Sequence, residues 1–417
     1  METYENRIVN GLLKAAAVDD PEQAADLLSR DIEIIVNPGR ATDDDLWPCI
    51  WSVAAVLERQ FSGNIYIRAG LTHPLRQPAQ LSARCRFVDA RSSHRAIRIG
   101  LGYLIPGEQV DLCGDTRGGK IRIGSHLESG DRHATPGGCF ALAGYLGFAA
   151  LASACGIPAY REDFSVPELA LSPPDNAPFD LPEGTLEFIG LGHLGHAYLA
   201  LLFFLERYIV RMPRIRLVDK DVFELPNWST QILIETQTEW IGVSKADYLE
   251  QRLRAWGWDA HGEVQEVNWG WRRSGSDSEV VIMGLDRFEV RRMTMAGGYS
   301  WVFEAGLGDS FLTPRVSWHS IPANPELGKR LFSERENQTT PKGQETTPFI
   351  ERLRETPGSC GFLTYQGTQA SAPSLGLVGS AFLWTEILRF ASGVAEQIQG
   401  SATVWSPIIP PLRSLIA

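Results

Sequence analysis

The sequence is poor in cysteine and has no Cys-x-x-Cys pair. Its six cysteines are scattered along the chain: Cys49, Cys85, Cys113, Cys139, Cys155 and Cys360. A structural zinc site needs closely spaced ligand pairs, and a disulfide framework needs a high density of cysteines. The sequence therefore weighs strongly against both kinds of site.

Positive charge is also scarce, since 39 lysines and arginines face 50 aspartates and glutamates, which gives a net charge of -11. Proteins that bind nucleic acids neutralise phosphates with a surplus of basic residues. That surplus is missing here, so the composition weighs against a nucleic-acid partner.

Long apolar runs are few. The longest candidate begins at Phe188 and is closed by Glu206 and Arg207 before it reaches the roughly 18 residues of a membrane span. The start of the chain, METYEN, lacks the basic segment of a signal peptide. We therefore expect no membrane contact and a cytoplasmic location.

Two irregular stretches organise the chain. Residues 171–184 (LSPPDNAPFDLPEG) are rich in proline and aspartate, which predicts a linker between a domain at 1–175 and a domain at 183–417. Residues 324–360 are polar and interrupted by proline and glycine. So long a connection inside a domain is usually functional, and we expect a crossover loop there.

Strand and helix patterns alternate in the second half. Strands are predicted at 185–190 (TLEFIG), 214–219 (RIRLVD) and 279–284 (EVVIMG). Helices are predicted from about 193 and over about 245–256. This alternation predicts an α/β fold with a doubly wound, Rossmann-like parallel sheet.

The first half contains a blurred copy of this pattern. A strand at 32–36 (IEIIV), a helix at 47–60 and a strand at 64–70 are predicted, with no glycine motif after the first strand. Each half also ends in a similar apolar helix, over 134–152 and 371–393. We interpret the halves as homologous, the first being a degenerate α/β domain that has lost its nucleotide site.

A glycine motif, GLGHLG, joins the strand at 185–190 to the helix that follows. Gly190 permits a tight turn, Gly192 lets backbone N–H groups approach an anion, and Gly195 allows close packing of helix and strand. In this context the motif predicts a nucleotide site at the positive helix N-terminus. We expect His193 and His196 to face solvent or the sheet, without a catalytic role.

Polar residues after the next strand distinguish between nucleotides. Asp219 ends that strand and could bind a ribose hydroxyl of NAD or ATP equally well. Further polar residues then follow: Asp221, Asn227, Gln231, Lys245 and Asp286. A dehydrogenase has little need for them, whereas an adenylating enzyme must hold a triphosphate and Mg2+ and stabilise charge on the α-phosphate.

Five motifs occur in a recognisable order: GLGHLG, LVDKDVFELPNWSTQ, GVSKA, LDRFEVRR and SAPSLGLVGSAFLWTEILR. Together they resemble the adenylation domain of the ubiquitin-activating enzyme family, whose ThiF-like fold is shared with bacterial sulfur-carrier adenylyltransferases. The resemblance covers about residues 186–393 and implies ATP and Mg2+. It also implies that Asp219 holds the ribose and that Asn227, Gln231 and Lys245 face the phosphates, with Asp221 beside them.

The resemblance further implies that Asp286 coordinates magnesium and takes part in catalysis, with Arg291 completing the family's D-x-x-x-x-R segment. One position departs from the family, because Thr230 stands where Asn-x-x-Arg-Gln has its arginine. The missing positive charge could come from the N-terminal half or from one of three nearby residues: Arg207, Arg211 or Arg214.

Cys360 is the only cysteine in the last third of the chain. An acyl-adenylate can be passed to an accessible thiolate, and family members that form a thioester carry their cysteine in this region. Cys360 is therefore the candidate thioester residue, and an inert loop cysteine is the alternative. The lack of Cys-x-x-Cys pairs points away from the sulfur-carrier activators.

The sequence thus predicts an enzyme that adenylates the C-terminus of a ubiquitin-like protein, forms a thioester on Cys360 and passes the protein to a conjugating enzyme. The two halves resemble both eukaryotic activating enzymes and those of bacterial ubiquitination-like antiphage systems. A non-catalytic ThiF-like scaffold, an NAD-dependent oxidoreductase and a small-molecule or tRNA-directed adenylyltransferase are the alternatives. The sequence leaves open whether two chains form a homodimer or the two halves form an intrachain pseudo-dimer.

Overall fold

Two β-sheets of related topology form the two halves of the protein. The computed structural model describes residues 7–14, 17–36, 46–69, 76–89, 96–101, 109–116, 120–124, 135–155, 164–167, 178–235, 238–275, 277–307, 315–333, 372–393, 397–403 and 412–415. Cys360 and most of the predicted crossover loop lie outside these residues.

The N-terminal half is built on a seven-stranded sheet with the order β3-β2-β1-β4-β5-β6-β7. Its strands are β1 (Ile32–Val36), β2 (Ile65–Arg68), β3 (Cys85–Phe87), β4 (Ile97–Leu101), β5 (Leu112–Asp115), β6 (Lys120–Gly124) and β7 (Phe164–Pro167). The described helices of this half are α1 (Arg7–Lys14), α2 (Pro21–Leu28), α3 (Trp47–Gln60) and α4 (Pro136–Ala154). Strands β1 to β5 pair in parallel, while β6 pairs antiparallel with both β5 and β7.

The C-terminal half repeats this order in an eight-stranded sheet, β10-β9-β8-β11-β12-β13-β14-β15. Its strands are β8 (Thr185–Ile189), β9 (Arg214–Asp219), β10 (Ala260–Val264), β11 (Val280–Met283), β12 (Trp301–Leu307), β13 (Arg315–Pro322), β14 (Ile398–Thr403) and β15 (Leu412–Leu415). The described helices are α5 (His193–Leu205), α6 (Lys245–Ala255), α7 (Phe288–Met295), α8 (Pro325–Leu331) and what we number α9 (Pro373–Ala391). Strands β8 to β12 are parallel, which confirms the predicted α/β fold with a doubly wound parallel sheet.

Each sheet also contains a buried glutamate in its first strand. Glu33 in β1 and Glu187 in β8 are both fully buried in the first strand of their sheet. Glu33 lies 3.3 Å from both Arg68 and Arg98, and Glu187 lies 2.8 Å from Arg216. A buried glutamate is costly without a cationic partner, and each sheet supplies arginine to the glutamate in its first strand.

The halves meet through close helix packing, in which α4 lies against α3 and α9. A Cβ atom added to Gly144 would lie 2.4 Å from Cγ2 of Val378, and one added to Gly147 would lie 2.4 Å from Oγ of Ser374. Gln60 donates from Nε2 to the same Ser374 Oγ at 2.7 Å. The absence of side chains at Gly144 and Gly147 therefore permits the contact between the halves.

Helix α4 corrects one sequence expectation. By length and composition, Pro136–Ala154 is apolar enough to cross a membrane, so the statement that no run reaches this length is wrong. The run contains no charged residue over its 19 positions. Because α4 is buried almost along its whole length between the two halves, the fold accounts for its apolar character.

The segment predicted as a loop at 324–360 begins instead with helix α8. Asn324 caps it, since its Oδ1 accepts the N–H groups of Glu326 and Leu327 at 2.8 and 3.2 Å, and Pro325 occupies the first helical position. This is a favourable helix start, and the overall polarity of the segment concealed it.

Candidate functional site

The glycine motif forms the turn between β8 and α5. Gly190 has φ +85°, and a Cβ there would lie 2.8 Å from the Gly284 carbonyl oxygen. A Cβ on Gly195 would lie 2.6 Å from the Gly190 oxygen. Both positions therefore require glycine for the local packing of helix and strand. Gly192 differs, because a Cβ on it would meet nothing within 4 Å. Open space adjoins the backbone at Gly192.

The N-terminus of α5 points into this space without a side-chain cap. Gly192 is the N-cap residue and makes no side-chain hydrogen bond to the first turn. The first N–H groups of a helix lack intrahelical partners and carry partial positive charge. The turn can therefore accept an anionic group such as a phosphate.

Asp219, the last residue of β9, holds the glycine motif in place. Its Oδ2 accepts the Leu191 N–H at 2.6 Å, and its Oδ1 accepts the Asp221 N–H at 2.8 Å. Burial raises the pKa of Asp219, while Lys245 and these two hydrogen bonds oppose that shift. Asp219 thus fixes the backbone on both sides of the site, in addition to any contact with a ribose.

Lys245 starts helix α6 and brings an ammonium group to the same edge of the sheet. Ser244 caps this helix by accepting the Asp247 N–H at 3.3 Å. The Lys245 side chain is 9% exposed and lies 3.3 Å from Oδ2 of Asp221, whose side chain is 55% exposed. An ion pair with so exposed a partner is weak. The ammonium is therefore able to pair with an incoming anion.

Asn227 lies on a short 3-10 helix, Leu225–Ser229, and is buried. Its Oδ1 accepts the Glu224 N–H at 2.9 Å, which gives it a structural role as part of a capping box. The structure therefore provides an explanation for Asn227 that does not depend on a nucleotide.

Thr230 and Gln231 follow this short helix and are both buried. The Oγ1 of Thr230 and the Oε1 of Gln231 have no hydrogen-bond partner among the described residues. A buried polar atom without a partner costs about 1–3 kcal/mol. A polar ligand or an ordered water would relieve that cost, so the region is suited to binding a polar group.

Asp286 lies beyond the end of β11 and is exposed. Arg291 in α7 fixes the backbone next to Asp286. Its Nε and Nη2 donate to the carbonyl of Leu285, the residue before Asp286, at 3.0 and 2.6 Å. The other nitrogen, Nη1, lies 3.2 Å from the buried carboxylate of Glu304. Arg291 therefore fixes the backbone that presents Asp286.

Sequence reasoning did not identify Arg7, which α1 brings to the same region. Its charge interacts with the carboxylates of Asp286 and Glu224, and both oppose the lowering of the Arg7 pKa by burial. No local motif marks this residue, because its partners are far away in the sequence.

The other suggested arginines are badly placed for this site. Arg207 and Arg211 follow the C-terminal end of α5, a helix of 13 residues, and Arg214 begins β9. A helix of that length spans about 20 Å. These three residues therefore lie toward the opposite end of the sheet from the glycine motif.

The two histidines, His193 inside the motif and His196 just after it, both contact neighbouring elements of the fold. The Nε2 of His193 accepts the Gly376 N–H at 3.1 Å, so His193 contacts the first turn of α9, and burial lowers its pKa to about 4. His196 is fully buried, and its Nδ1 accepts the Leu233 N–H at 3.3 Å. Burial also lowers the pKa of His196 well below its usual range. Both imidazoles are neutral hydrogen-bond acceptors at neutral pH.

The structure thus brings several predicted residues to the carboxyl ends of three neighbouring strands, β9, β8 and β11: Gly190, Gly192, Gly195, Asp219, Asp221, Lys245 and Asp286. This edge of a doubly wound sheet is where nucleotides usually bind. Cys360, the candidate thioester residue, lies outside the described residues.

Comparison with known proteins yields one family. The family model described as the BilD C-terminal domain matches residues 181–394. The bacterial E1-like protein BilD of Collimonas sp. (strain OK412) is 25% identical over 255 residues, which cover 59% of this chain and 51% of that protein. The chain therefore spans about half the length of this curated relative.

Solved structures with a similar arrangement include E. coli MccB crystallised with ATP, at 14% identity and a TM-score of 0.37, covering 60% of this chain and 66% of that chain. PaaA is another, at 18% identity and a TM-score of 0.38, covering 57% of this chain and 74% of that chain. At TM-scores this low, these similarities carry no conclusion about ligands or reaction.

Proposed function

We propose a function for this chain from its family, because it belongs to the BilD C-terminal domain family. In this proposal it uses ATP to adenylate the C-terminal carboxylate of a ubiquitin-like protein. The main support is the convergence at one sheet edge of an uncapped helix N-terminus, the buried ammonium of Lys245 and the carboxylates of Asp219 and Asp286. The similarity to a bacterial E1-like protein supports the same function.

In this proposal the triphosphate lies over Gly192, where the backbone leaves open space. The helix N-terminus and Lys245 stabilise its negative charge, and Asp219 holds the glycine motif and a ribose hydroxyl. The substrate carboxylate attacks the α-phosphorus, an acyl-phosphate bond forms, and the bond to pyrophosphate breaks. Asn227 and Gln231 shape the wall on the phosphate side.

Arg7 supplies the positive charge that Thr230 cannot. Thr230 is fully buried, whereas Arg7 lies close enough to Asp286 and Glu224 to interact with both carboxylates. The N-terminal half then contributes directly to the nucleotide site. The related strand orders of the two sheets and the packing of α4 on α9 support an intrachain pseudo-dimer in which the N-terminal half is degenerate.

Asp286 would hold Mg2+. The described residues contain no group of three or more His, Cys, Asp or Glu side chains that could bind a metal ion. Magnesium in nucleotide enzymes commonly takes only one or two protein carboxylates and completes its shell with phosphates and water. A single exposed aspartate fits that pattern, and the ion would neutralise charge on the triphosphate.

After adenylation, we propose that the thiolate of Cys360 attacks the acyl-adenylate, so that a thioester forms and AMP leaves. A conjugating enzyme would then accept the acyl group. The support for Cys360 is its position in the sequence. A thioester adduct that forms on wild-type protein, is absent in Cys360→Ala and is cleaved by a thiol would establish this step; an adduct that persists in Cys360→Ala would reject it.

Calorimetric binding of ATP and NAD tests the type of nucleotide. The proposal predicts that ATP binds, that NAD binds at least about tenfold more weakly, and that Lys245→Met weakens ATP binding by about tenfold or more, which corresponds to about 1.4 kcal/mol. Binding of NAD in preference to ATP would reject the proposal in favour of an oxidoreductase. ATP binding without any adenylation would favour a scaffold.

A further inference from the structure

The segment at 228–235, which follows Asn227, is buried but is neither a strand nor, beyond the short 3-10 helix, a helix. Buried backbone groups outside regular structure need other hydrogen-bond partners. Side chains provide them here: His196 accepts the Leu233 N–H at 3.3 Å, and the hydroxyl of Tyr248 donates to the Leu233 carbonyl at 3.2 Å. The shape of this segment is therefore set by the surrounding side chains together with its own turn hydrogen bonds, such as that from the Ile234 N–H to the Gln231 carbonyl at 3.1 Å.

Arg59 makes the largest share of these contacts, although it belongs to α3 of the N-terminal half. Its Nη2 donates to the carbonyls of Ile232 and Ile234 at 3.0 and 2.8 Å. Its guanidinium carbon lies 4.3 Å from the centroid of the Trp228 ring, a cation–π distance. One side chain thus contacts both ends of the segment.

The other terminal nitrogen of Arg59 is also engaged, whereas its buried Nε has no hydrogen-bond partner among the described residues. Its Nη1 donates to the carbonyl of Ala55 at 2.9 Å and to the carboxylate of Glu58 at 2.6 Å. The two terminal nitrogens together have four N–H groups, and all four are used. The Arg59 side chain is buried, and its charge is paired with Glu58. The two terminal nitrogens of Arg59 are therefore not available to a phosphate.

We infer that Arg59 is a positioning residue of the nucleotide site, supplied by the N-terminal half. By fixing residues 228–234, it holds Gln231 within the segment and the adjoining Asn227 in the orientation that the triphosphate requires. This inference rests on the proposed function, since it assigns Arg59 a role in binding ATP. It also gives the degenerate half a specific task in the active half.

The test is Arg59→Lys, which keeps the charge beside Glu58 but cannot bridge two carbonyls and stack on Trp228 with a planar group. Arg84→Lys is the matched control. Arg84 donates to three carbonyls around α3, at Phe61 and Gly63 with distances of 2.7 and 2.9 Å and at Glu58. It contacts the backbone of Glu58 and not the carboxylate that pairs with Arg59, and every contact described for it lies within the N-terminal half.

Two quantities are measured in the 417-residue chain: hydrogen–deuterium exchange of the amides at 228–235, and the Kd of a non-hydrolysable ATP analogue. Arg59→Lys is expected to speed exchange in this segment and to weaken binding of the analogue by about tenfold, because lysine cannot donate to both carbonyls from one nitrogen plane. Arg84→Lys should change neither. Trp228→Leu leaves the Arg59–Glu58 ion pair intact and should also speed exchange and weaken binding of the analogue. It therefore provides the test if Arg59→Lys does not fold.

The outcomes separate the inference from the proposed function. If the wild type does not bind the analogue, the proposed function fails, while faster exchange in Arg59→Lys would still support positioning of the segment. If the wild type binds and both Arg59→Lys and Trp228→Leu bind equally well with unchanged exchange, the inference is wrong. An equal loss of affinity in Arg84→Lys would also overturn it, because the effect would then be a general loss of stability.

Discussion

Asp219 at the end of β9 accepts the backbone N–H of Leu191 at 2.6 Å and so ties the glycine motif to the neighbouring strand. The contact joins two residues that are 28 positions apart. The carboxylate expected to bind a nucleotide also builds the loop that would bind it. Binding and stability are therefore coupled at this residue.

Asp219→Asn should remove one of the two hydrogen bonds that Asp219 accepts from the N–H groups of Leu191 and Asp221. An amide has one acceptor oxygen, so either the Leu191 or the Asp221 N–H would face an NH2 group. We expect the free energy of unfolding to fall by about 1–3 kcal/mol, measured by urea denaturation. Asp221→Asn is the control, because its side chain is 55% exposed and should change stability by less than about 0.5 kcal/mol. Equal stability of the two variants would contradict the role of Asp219.

The glycines of the motif should differ in their response to alanine. Gly192→Ala places a methyl group in open space, so stability should be nearly unchanged while ATP affinity falls about tenfold or more through steric exclusion. Gly195→Ala would place its Cβ 2.6 Å from the Gly190 oxygen and should cost about 1–3 kcal/mol of stability. Thermal denaturation and calorimetry measure the two effects. Tight ATP binding by Gly192→Ala would show that the open space is not the phosphate site.

The pH dependence of stability should carry the signature of His193. Burial lowers its pKa from 6.5 to about 4 in the folded protein. As the pH falls below 6.5, the unfolded chain takes up a proton that the folded protein does not take up until about pH 4. This group therefore contributes stability in full above pH 6.5 and loses it progressively toward pH 4.

The measurement is the difference in free energy of unfolding between wild type and His193→Gln, taken from pH 7 down to the acid limit of reversibility. The difference should shrink as the pH falls, because the variant lacks the titrating group. His261→Gln is the control, since the His261 side chain is 67% exposed. A wild-type-minus-variant difference that is constant with pH would contradict a neutral, buried His193.

Contact between the halves should depend on Gly144. In Gly144→Val, Cβ would lie 2.4 Å from Val378 Cγ2 and 2.6 Å from the Ser374 carbonyl oxygen. This overlap should lower the free energy of unfolding by about 1–3 kcal/mol or more. Ser153→Val, at an exposed position of the same helix, adds a β-branched residue without that contact. If the halves function together, ATP affinity should fall with Gly144→Val and not with Ser153→Val. Wild-type stability of Gly144→Val would show that the α4–α9 contact is not tight.

Local sequence patterns predict several strands and helix starts of this fold correctly. The strand predicted at 214–219 and the helix start at Lys245 agree with the structure, because periodicity and capping are encoded within a few residues. The glycine motif was placed correctly between strand and helix for the same reason. The resemblance implied that Asp219 and Lys245 face one nucleotide, and the structure places both residues at the same sheet edge.

Long-range contacts were not predictable in this way. Arg59 reaches carbonyls that are 173 and 175 residues away, and nothing near it in the sequence marks these partners. The local cap that Asn227 forms with Glu224 was not predicted either, while its role toward a nucleotide stays a prediction. The apolar run at α4 was missed because its burial depends on the other half of the chain.

ATP–pyrophosphate exchange tests adenylation most directly. The wild type should exchange labelled pyrophosphate into ATP only with a ubiquitin-like protein that has a free C-terminal carboxylate, and not with the same protein amidated at that end. Asp286→Asn and Lys245→Met should lower the rate by about 100-fold or more, while Cys360→Ala should retain it because adenylation precedes thioester formation. Exchange that is absent despite ATP binding, or that is unaffected by Asp286→Asn and Lys245→Met, would contradict the proposed adenylation at this site.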